Sequence, residues 1–143
     1  MRIRQLDIAS KTISEMRGTQ GLWSPRWSPD GSLILAVTTD NEAIKVLHWP
    51  GTLWKELVRL PNVDNVTWSV DSKQIFFTGE DQNRHFGVYR FDLASANLEM
   101  VVNLDGFEYA PDPWFGVDNT GTPLAFGDSL ASEVFRLKCD FPR

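Results

Sequence analysis

The stretch "WSPRWSPDGSLILAV", residues 23–37, sets two tryptophans around a proline and then reaches a Pro-Asp-Gly turn. Pro29 presets the φ that the second turn position requires, Asp30 accepts backbone N–H bonds, and Gly31 adopts a positive φ without strain. The apolar run that follows the turn is typical of a β-strand. The stretch therefore predicts a strand, a tight corner and a second strand.

This corner recurs along the chain. Its copies are "WSPDGSLILAV" at 27–37, "WSVDSKQIFFT" at 68–78 and, more weakly, "GVDNTGTPLAF" at 116–126. Their turn aspartates are spaced by 41 and 47 residues: Asp30, Asp71 and Asp118. Ser72 replaces the glycine of the first copy, so we expect a looser or differently typed turn there. Trp27 and Trp68 precede their turns by the same three residues, which predicts that both pack between neighbouring repeats.

A second landmark repeats with a similar period. "LDIASKTISEM" at 6–16 resembles "FDLASANLEMV" at 91–101, and "LHWPGTLWKEL" at 47–57 lies between them. Asp7, His48 and Asp92 then mark steps of 41 and 44 residues and are expected at strand ends. Two landmarks that share one period indicate an internal repeat.

Each period contains four stretches with the alternation and the β-branched or aromatic content of strands, and no convincing amphipathic helix. Four strands in about 40–50 residues is the pattern of a β-propeller blade. We therefore predict one all-β domain of β-propeller type with about three four-stranded antiparallel blades. Its units are a part-blade at 1–18, blades at 19–60 and 61–104, and a last blade at 105–143.

The corner residues resemble a known family. "WSPRWSPDG" is similar to the Trp-Ser-Pro-Asp-Gly corner of TolB-like, WD-repeat-like β-propellers, and "WSVDS" and "GVDNTG" are weaker matches. The chain also resembles the C-terminal propeller blades of large bacterial proteins that carry a winged-helix regulator or a protein-kinase module. No such module is present in these residues, so DNA binding and kinase activity are not implied. The resemblance implies protein–protein interaction or ligand sensing.

The predicted strands do not complete a ring. Thirteen are expected, which is about three blades, whereas propellers close with roughly four to eight. An open stack would expose apolar blade faces. We expect either part of a larger propeller or a homodimer that closes a six-bladed ring. In that homodimer, "KTISEM" at 11–16 would complete the partner's last blade at "SEVFRLK", 132–138.

Composition excludes several classes of function. The net charge of −5 and the pI of about 4.9 argue against nucleic acid or an anionic membrane as the main partner. The apolar runs are too short for a membrane span, and the alternating N-terminus is not a signal peptide. Cys139 is the single cysteine, so no internal disulfide is expected. The compartment is not indicated.

The sequence shows no catalytic, cofactor or metal constellation, so we expect a protein that is not an enzyme. The two histidines, His48 and His85, lack metal-ligand spacing. Nucleophile-elbow, phosphate-loop and His-Glu-x-x-His motifs are absent from the sequence. Glu80 and Asp81 are adjacent in a loop, which is poor evidence for acid–base catalysis.

Blade connectivity places the loops between blades, and those between second and third strands, on one face, called here the loop face. Nine carboxylates fall in these loops: Asp40, Glu42, Asp64, Glu80, Asp81, Asp105, Glu108, Asp112 and Asp128. Propellers bind partners at such loops, and the alternative is a solvated acidic rim that aids solubility. In the insertion "FEYAPDPWF", 107–115, Tyr109 is a candidate aromatic anchor, whereas Trp114 is expected to pack the last blade.

We therefore predict a non-catalytic module for protein–protein interaction or ligand sensing that acts through its acidic loop face. Trp23 joins the candidates because it lies near this face and has no counterpart in the second corner. The candidate partner-binding residues are Trp23, Asp40, Glu42, Asp64, Glu80, Asp81, Arg84, Glu108, Tyr109 and Asp112. The alternative is an excerpt of a propeller that gates or regulates an enzyme, such as a prolyl-peptidase-like hydrolase.

Overall fold

The computed structural model describes residues 1–107 and 115–125, which form twelve β-strands. The strands are β1 (Arg4–Asp7), β2 (Thr12–Glu15), β3 (Leu22–Trp27), β4 (Leu33–Thr38), β5 (Ala43–His48), β6 (Trp54–Arg59), β7 (Asp64–Trp68), β8 (Gln74–Glu80), β9 (Phe86–Asp92), β10 (Asn97–Asn103), β11 (Phe115–Val117) and β12 (Pro123–Ala125). As expected, Asp7, His48 and Asp92 are the last residues of their strands.

The strands form two complete blades and two incomplete ones. The first blade has the order β3-β4-β5-β6 and the second β7-β8-β9-β10, and every pairing is antiparallel. The β1–β2 hairpin and the β11–β12 pair are separate two-stranded sheets. The predicted all-β propeller architecture with four-stranded antiparallel blades is confirmed. The thirteenth predicted strand, near residues 132–140, lies outside the described residues.

The main core lies between the two complete blades. The first blade contributes Leu35, Val37 and Ile44, and the second contributes Ile75 and Phe77. The central strands β4 and β8 carry nearly continuous apolar runs because they are covered on both faces, whereas the outer strands β6 and β10 are largely exposed. A stack of blades thus buries its inner strands and leaves the rim in water.

The first two corners share one hydrogen-bond pattern. Ser28 Oγ donates to Asp30 Oδ1 at 2.6 Å and accepts from Leu33 N at 2.9 Å. In the second corner Ser69 Oγ donates to Asp71 Oδ1 at 2.7 Å, and it likewise accepts a backbone N–H from the residue that begins the next strand. The serine hydroxyl therefore holds both the turn carboxylate and the start of the next strand.

The third corner does not have the residue equivalences that the sequence alignment predicts. Asp118 N donates to Thr122 O at 3.0 Å, and the Asp118 carboxylate accepts from Thr122 N at 2.9 Å. Asp118 thus takes the position of Ser28 and Ser69, in a turn one residue shorter, and is not equivalent to Asp30. The expected equivalence of the three turn aspartates is wrong because the carboxylate performs the serine's bonding role itself.

Ser72 also departs from expectation. Its φ is +62°, close to the +73° of Gly31, and both residues donate their N–H to the serine carbonyl of their corner. The second turn is therefore of the same type as the first. Ser72 Oγ accepts a hydrogen bond from Asp30 N at 3.1 Å, which joins the two corners. This contact offsets part of the strain of a left-handed serine.

A bulge recurs in the inner strands. The register shifts between Trp23 and Arg26 in β3, and at the same place in β7, between Asp64 and Thr67. The bulges contain Ser24 and Asn65, whose φ values are +51° and +52°. Trp23 therefore does have a counterpart in the second blade, namely Asp64, although the residue type differs.

The two corner tryptophans have different surroundings. Trp68 is 8% exposed, belongs to the core between the blades, and donates its Nε1–H to Arg26 O at 3.1 Å. Trp27 is 48% exposed, and its ring lies edge-on to Trp49 with centroids 5.4 Å apart. The predicted packing between repeats is confirmed for Trp68 but not for Trp27, because no described inner strands precede the first blade.

Candidate partner-binding face

Backbone hydrogen bonds bring the predicted loop-face segments together. Leu60 N donates to Glu42 O at 3.0 Å, and Val63 N donates to Asn41 O at 2.8 Å. These bonds tie the segment that joins the two blades to the β4–β5 loop. Glu80 N then donates to Pro61 O at 2.9 Å, which adds the end of β8. Candidates from both blades therefore share one face.

On the first blade, Asp40 shapes its own loop. Its Oδ1 accepts from Thr38 Oγ1 at 2.5 Å and from Glu42 N at 3.1 Å. The Thr38 hydroxyl is the main cause that lowers the pKa of Asp40, so this carboxylate is charged at neutral pH. Glu42 lies 3.3 Å from Arg59 Nη1 in an exposed ion pair. Both acidic side chains remain accessible, but each already has a structural partner.

Trp23 is anchored in the blade. Its Nε1–H is directed at two acceptors, Thr38 O at 3.2 Å and Asn41 Oδ1 at 3.1 Å. The half-buried ring also packs against the main core. The indole thus connects the β3 bulge to the β4–β5 loop, and its polar group is used within the chain.

On the second blade, three candidates line one cleft of about 320 Å³. Its walls are Pro61, Asn62, Glu80, Asp81, Gln82 and Arg84. The Glu80 side chain is 13% exposed and lies 3.1 Å from Arg84 Nε, while Asn62 Nδ2 donates to its other oxygen. The Arg84 side chain is 87% exposed. A nearly buried carboxylate is therefore paired with a cation whose own side chain is almost fully exposed.

Asp81 closes the loop beside this cleft. Its Oδ1 accepts backbone N–H bonds from Asn83 at 2.8 Å and from His85 at 2.9 Å. Arg84 lies in this loop with a φ of +67°. The carboxylate therefore fixes a turn that presents Arg84 to solvent.

A histidine–carboxylate pair joins the cleft loop to the segment after β10. His85 Nδ1 lies 2.6 Å from Asp105 Oδ2, and Asp105 Oδ1 accepts from Phe86 N at 2.8 Å. The hydrogen bond with Asp105 raises the pKa of His85, and the same bond lowers the pKa of Asp105. The pairing was not expected, since two residues so far apart in the sequence form no recognisable motif.

Tyr89 lies within β9 and belongs to the main core. Its ring stacks on Phe77 with centroids 5.7 Å apart, and its hydroxyl is buried with no hydrogen-bond partner among the described residues. Burial is the main cause that raises the pKa of Tyr89, with the charges of Asp81 and Asp105 adding to it. The phenol is therefore neutral at physiological pH.

The structure places the remaining candidates as follows. Asp64 begins β7 and accepts from Asn65 N at 2.7 Å, which supports the bulge. Among the described residues, no group of three or more His, Cys, Asp or Glu side chains is arranged to hold a metal ion. The candidates that lie outside the described residues are Glu108, Tyr109 and Asp112.

Within residues 1–107 and 115–125 there is no helix of the length and apolar character needed to cross a membrane.

The arrangement of blades defines a class, the β-propellers, and the comparisons with known proteins agree. TolB from Acinetobacter baumannii is 17% identical with a TM-score of 0.70, over 92% of this chain and 33% of that chain. Putative TolB from Agrobacterium tumefaciens is 17% identical with a TM-score of 0.65, over 87% of this chain and 49% of that chain. The predicted TolB-like propeller fold is thereby confirmed.

The structural neighbours also include proteins other than TolB. An oligogalacturonate lyase from Vibrio parahaemolyticus is 11% identical with a TM-score of 0.56, over 87% of this chain and 40% of that chain. No family model matches the chain, and a search of curated proteins gives no significant match. This chain spans about a third to a half of the solved structures it resembles. At these identities the likeness concerns the fold, not the activity.

Proposed function

We propose that this chain is a non-catalytic interaction module that binds a partner protein through its loop face. The observation that carries the proposal is the cleft in which Asn62, Glu80, Asp81 and Arg84 converge from two loops of the second blade. Loop residues held by a rigid scaffold are where binding sites are commonly found.

The chemistry of the cleft favours a basic peptide segment. Glu80 is nearly buried and its charge is balanced by Arg84, which is almost fully exposed. A lysine or arginine of a partner can take the place of Arg84, because the exposed guanidinium can move into water while the incoming cation keeps the Glu80 carboxylate paired. The net charge of −5 favours the approach of such a partner.

The absence of an enzymatic role is part of this proposal. The carboxylates of the cleft are engaged in loop and ion-pair contacts, and the raised pKa of Tyr89 keeps its phenol neutral instead of providing a base. Carboxylates that are already engaged in this way suit recognition of a cationic partner better than proton transfer.

The test uses basic and acidic decapeptides of matched length, immobilised for interferometry. We expect the basic peptides to bind and the acidic ones not to bind. The double variant Glu80→Gln/Asp81→Asn should weaken binding by about tenfold or more, as for the loss of a central charged contact. Glu99→Gln is the matched control, since its carboxylate lies on the outer strand β10 in an exposed pair with Arg90.

Equal binding of acidic and basic peptides would overturn the proposal. So would an unchanged affinity in the double variant, provided that its circular dichroism spectrum matches that of the parent. If Glu99→Gln weakens binding as much as the double variant does, the effect is one of net charge and the cleft is not the site.

A further inference from the structure

The β1–β2 hairpin has the pairing of the outer half of a blade. Leu6 pairs with Ile13 in the hairpin as Leu47 pairs with Trp54 in the first blade, and the two pairs are related by one period of the repeat. β1 therefore holds the third-strand position. In the complete blades that position is hydrogen-bonded to a second strand, but β1 has none among the described residues. Within residues 1–107 and 115–125, its inner edge is open.

An apolar groove lies along this open edge. It has a volume of about 250 Å³, and its lining includes Ile3, Leu6, Met16, Pro25, Trp27 and Ile34. In the second blade, the side chain equivalent to Trp27 is covered by the inner strand of the blade before it. The groove is thus the place where the two inner strands of a preceding blade would pack.

The other end of the described chain carries such inner strands. Val117 pairs with Pro123 in the β11–β12 sheet as Trp27 pairs with Ile34 in the first blade. β11 and β12 therefore hold the first-strand and second-strand positions. Among the described residues, β12 lacks a third strand, which is the strand that β1 represents.

We propose that the groove beside β1 binds the β11–β12 sheet of a second copy of this chain. The repeat sets the register, because Leu35 pairs with Val46 in the first blade. The equivalent pair between copies is Leu124 opposite Gln5. β2 pairs with β1 within the chain, so the whole hairpin would form the outer half of the composite blade.

Trp27 is the specificity element of this interface. Trp68 donates its indole N–H to the carbonyl of Arg26, and the residue equivalent to Arg26 in the last blade is Gly116. Trp27 of one copy therefore donates to Gly116 O of the other. The absence of a side chain at Gly116 leaves space for the indole ring.

Reciprocal exchange closes a ring. Each copy supplies two complete blades, and each of the two composite blades takes its inner strands from one copy and its outer strands from the other. The result is six blades related by a twofold axis, within the range in which propellers close. The exposed apolar surface around Trp27 is then buried.

Two features limit the exchange. Pro123 lies opposite Leu6, in the pair equivalent to Ile34 and Leu47, and it removes one N–H donor from the ladder that β12 forms with any third strand, whether from the same chain or from a second copy. In addition, the sequence predicts that residues near 132–140 form a third strand for the last blade. That strand and the β1 of a second copy would compete for one edge of β12.

Cysteine pairs distinguish these occupants in the full chain with Cys139→Ser. Gln5→Cys/Leu124→Cys reports the exchange, since the equivalent pair, Leu35 and Val46, is a non-hydrogen-bonded position suited to a disulfide. Leu124→Cys/Lys138→Cys reports the competing strand of the same copy. Gln5→Cys/Asn119→Cys is the matched control with a residue in the third corner. Oxidised samples are analysed on a denaturing gel without reductant. Their molar mass in solution is measured separately by light scattering.

We expect a covalent dimer from the first pair and little product from the other two. The unmodified chain should show a dimer of twice 16.3 kDa at micromolar concentration. Trp27→Ala should raise the dimer dissociation constant by about tenfold or more, as for a central aromatic anchor. Leu53→Ala, at another exposed apolar residue, should leave it unchanged.

An intramolecular disulfide in the second pair, with a monomeric mass, would overturn the proposal in favour of the chain's own third strand. A monomer in which none of the pairs forms would overturn it as well. A dimer that is insensitive to Trp27→Ala and does not cross-link through the first pair would show that another surface mediates association.

Discussion

Trp27 and Trp68 stand at the same position of the same corner in successive repeats, yet one is half exposed and the other is buried. Trp68 faces the inner strand of the blade before it and donates to Arg26 O, whereas Trp27 faces a groove beside a two-stranded hairpin. Burial at a repeat position is thus decided by the adjacent repeat. An identical residue in an identical turn can be a core residue or an interface residue.

The largest expected effect is the difference between the two tryptophans on truncation. Trp68→Ala removes a buried aromatic side chain and should lower the free energy of unfolding by about 3–5 kcal/mol. Trp27→Ala mainly removes the edge-on contact with Trp49 and should cost about 1 kcal/mol. Urea denaturation, at concentrations below those at which the chain dimerises, measures both. Equal costs would contradict the idea that the preceding blade sets the burial.

An intermediate effect is expected from exchanging residues between the corners. At Gly31, with a φ of +73°, a Cβ would meet no atom within 4 Å, so Gly31→Ser adds only backbone strain of about 1 kcal/mol. Ser72→Gly relieves similar strain but removes the acceptor of Asp30 N. These two effects oppose each other, so the free energy of unfolding should change by no more than about 0.5 kcal/mol. Thermal melts measure the difference.

Gly121→Ser is the control for this exchange. Gly121 has a φ of +86° in the third corner and, like Gly31, open space around its Cα. The Gly121→Ser variant should be destabilised to a similar degree as the Gly31→Ser variant. If Gly31→Ser is neutral while Gly121→Ser is not, the first corner relaxes around the added side chain and the shorter third turn does not.

The smallest effect concerns acid stability. Hydrogen bonds from Ser28 and then Ser32 lower the pKa of Asp30 to about 2, and the Ser69 hydroxyl lowers the pKa of Asp71. A carboxylate with a lowered folded-state pKa stabilises the fold above its unfolded pKa of about 4, and the contribution is lost as the pH falls towards about 2.

Asp30→Asn should therefore flatten the acid branch of the stability curve more than Asp71→Asn does. Equilibrium unfolding at a series of pH values between about 5 and 2 gives the two slopes. An equal slope change in the two variants would show that the Ser32 hydroxyl bonds to Asp30 add nothing beyond the serine bond and the backbone N–H bond that both corners share.

Much of the fold could be predicted because the decisive information is local and repeated. The Ser-Pro-Asp-Gly turn, the alternating apolar strands and the period at which they recur each follow from neighbouring residues. The bulges at Ser24 and Asn65 escaped prediction, since neither residue type demands a positive φ. The third corner was misaligned because Asp118 performs the role of a serine, and that substitution is visible only in its hydrogen bonds.

The candidate face was predicted in part. Glu80, Asp81 and Arg84 are neighbours in sequence, so their meeting in one cleft needed no tertiary knowledge. Asn62 enters the cleft from another loop, and the pairing of His85 with Asp105 joins two segments on either side of a strand hairpin. Contacts of this kind depend on how two loops converge, and no spacing rule encodes them.

The sequence by itself determined that this protein is a stack of four-stranded blades, because turn chemistry and strand periodicity act over a few residues and repeat. The tertiary structure decided which repeated residues are buried, because burial depends on what the adjacent blade places against them. Trp68 lies under a complete neighbour, and Trp27 lies over a groove with an open strand edge. The same corner therefore builds the core at one repeat and leaves a binding surface at another.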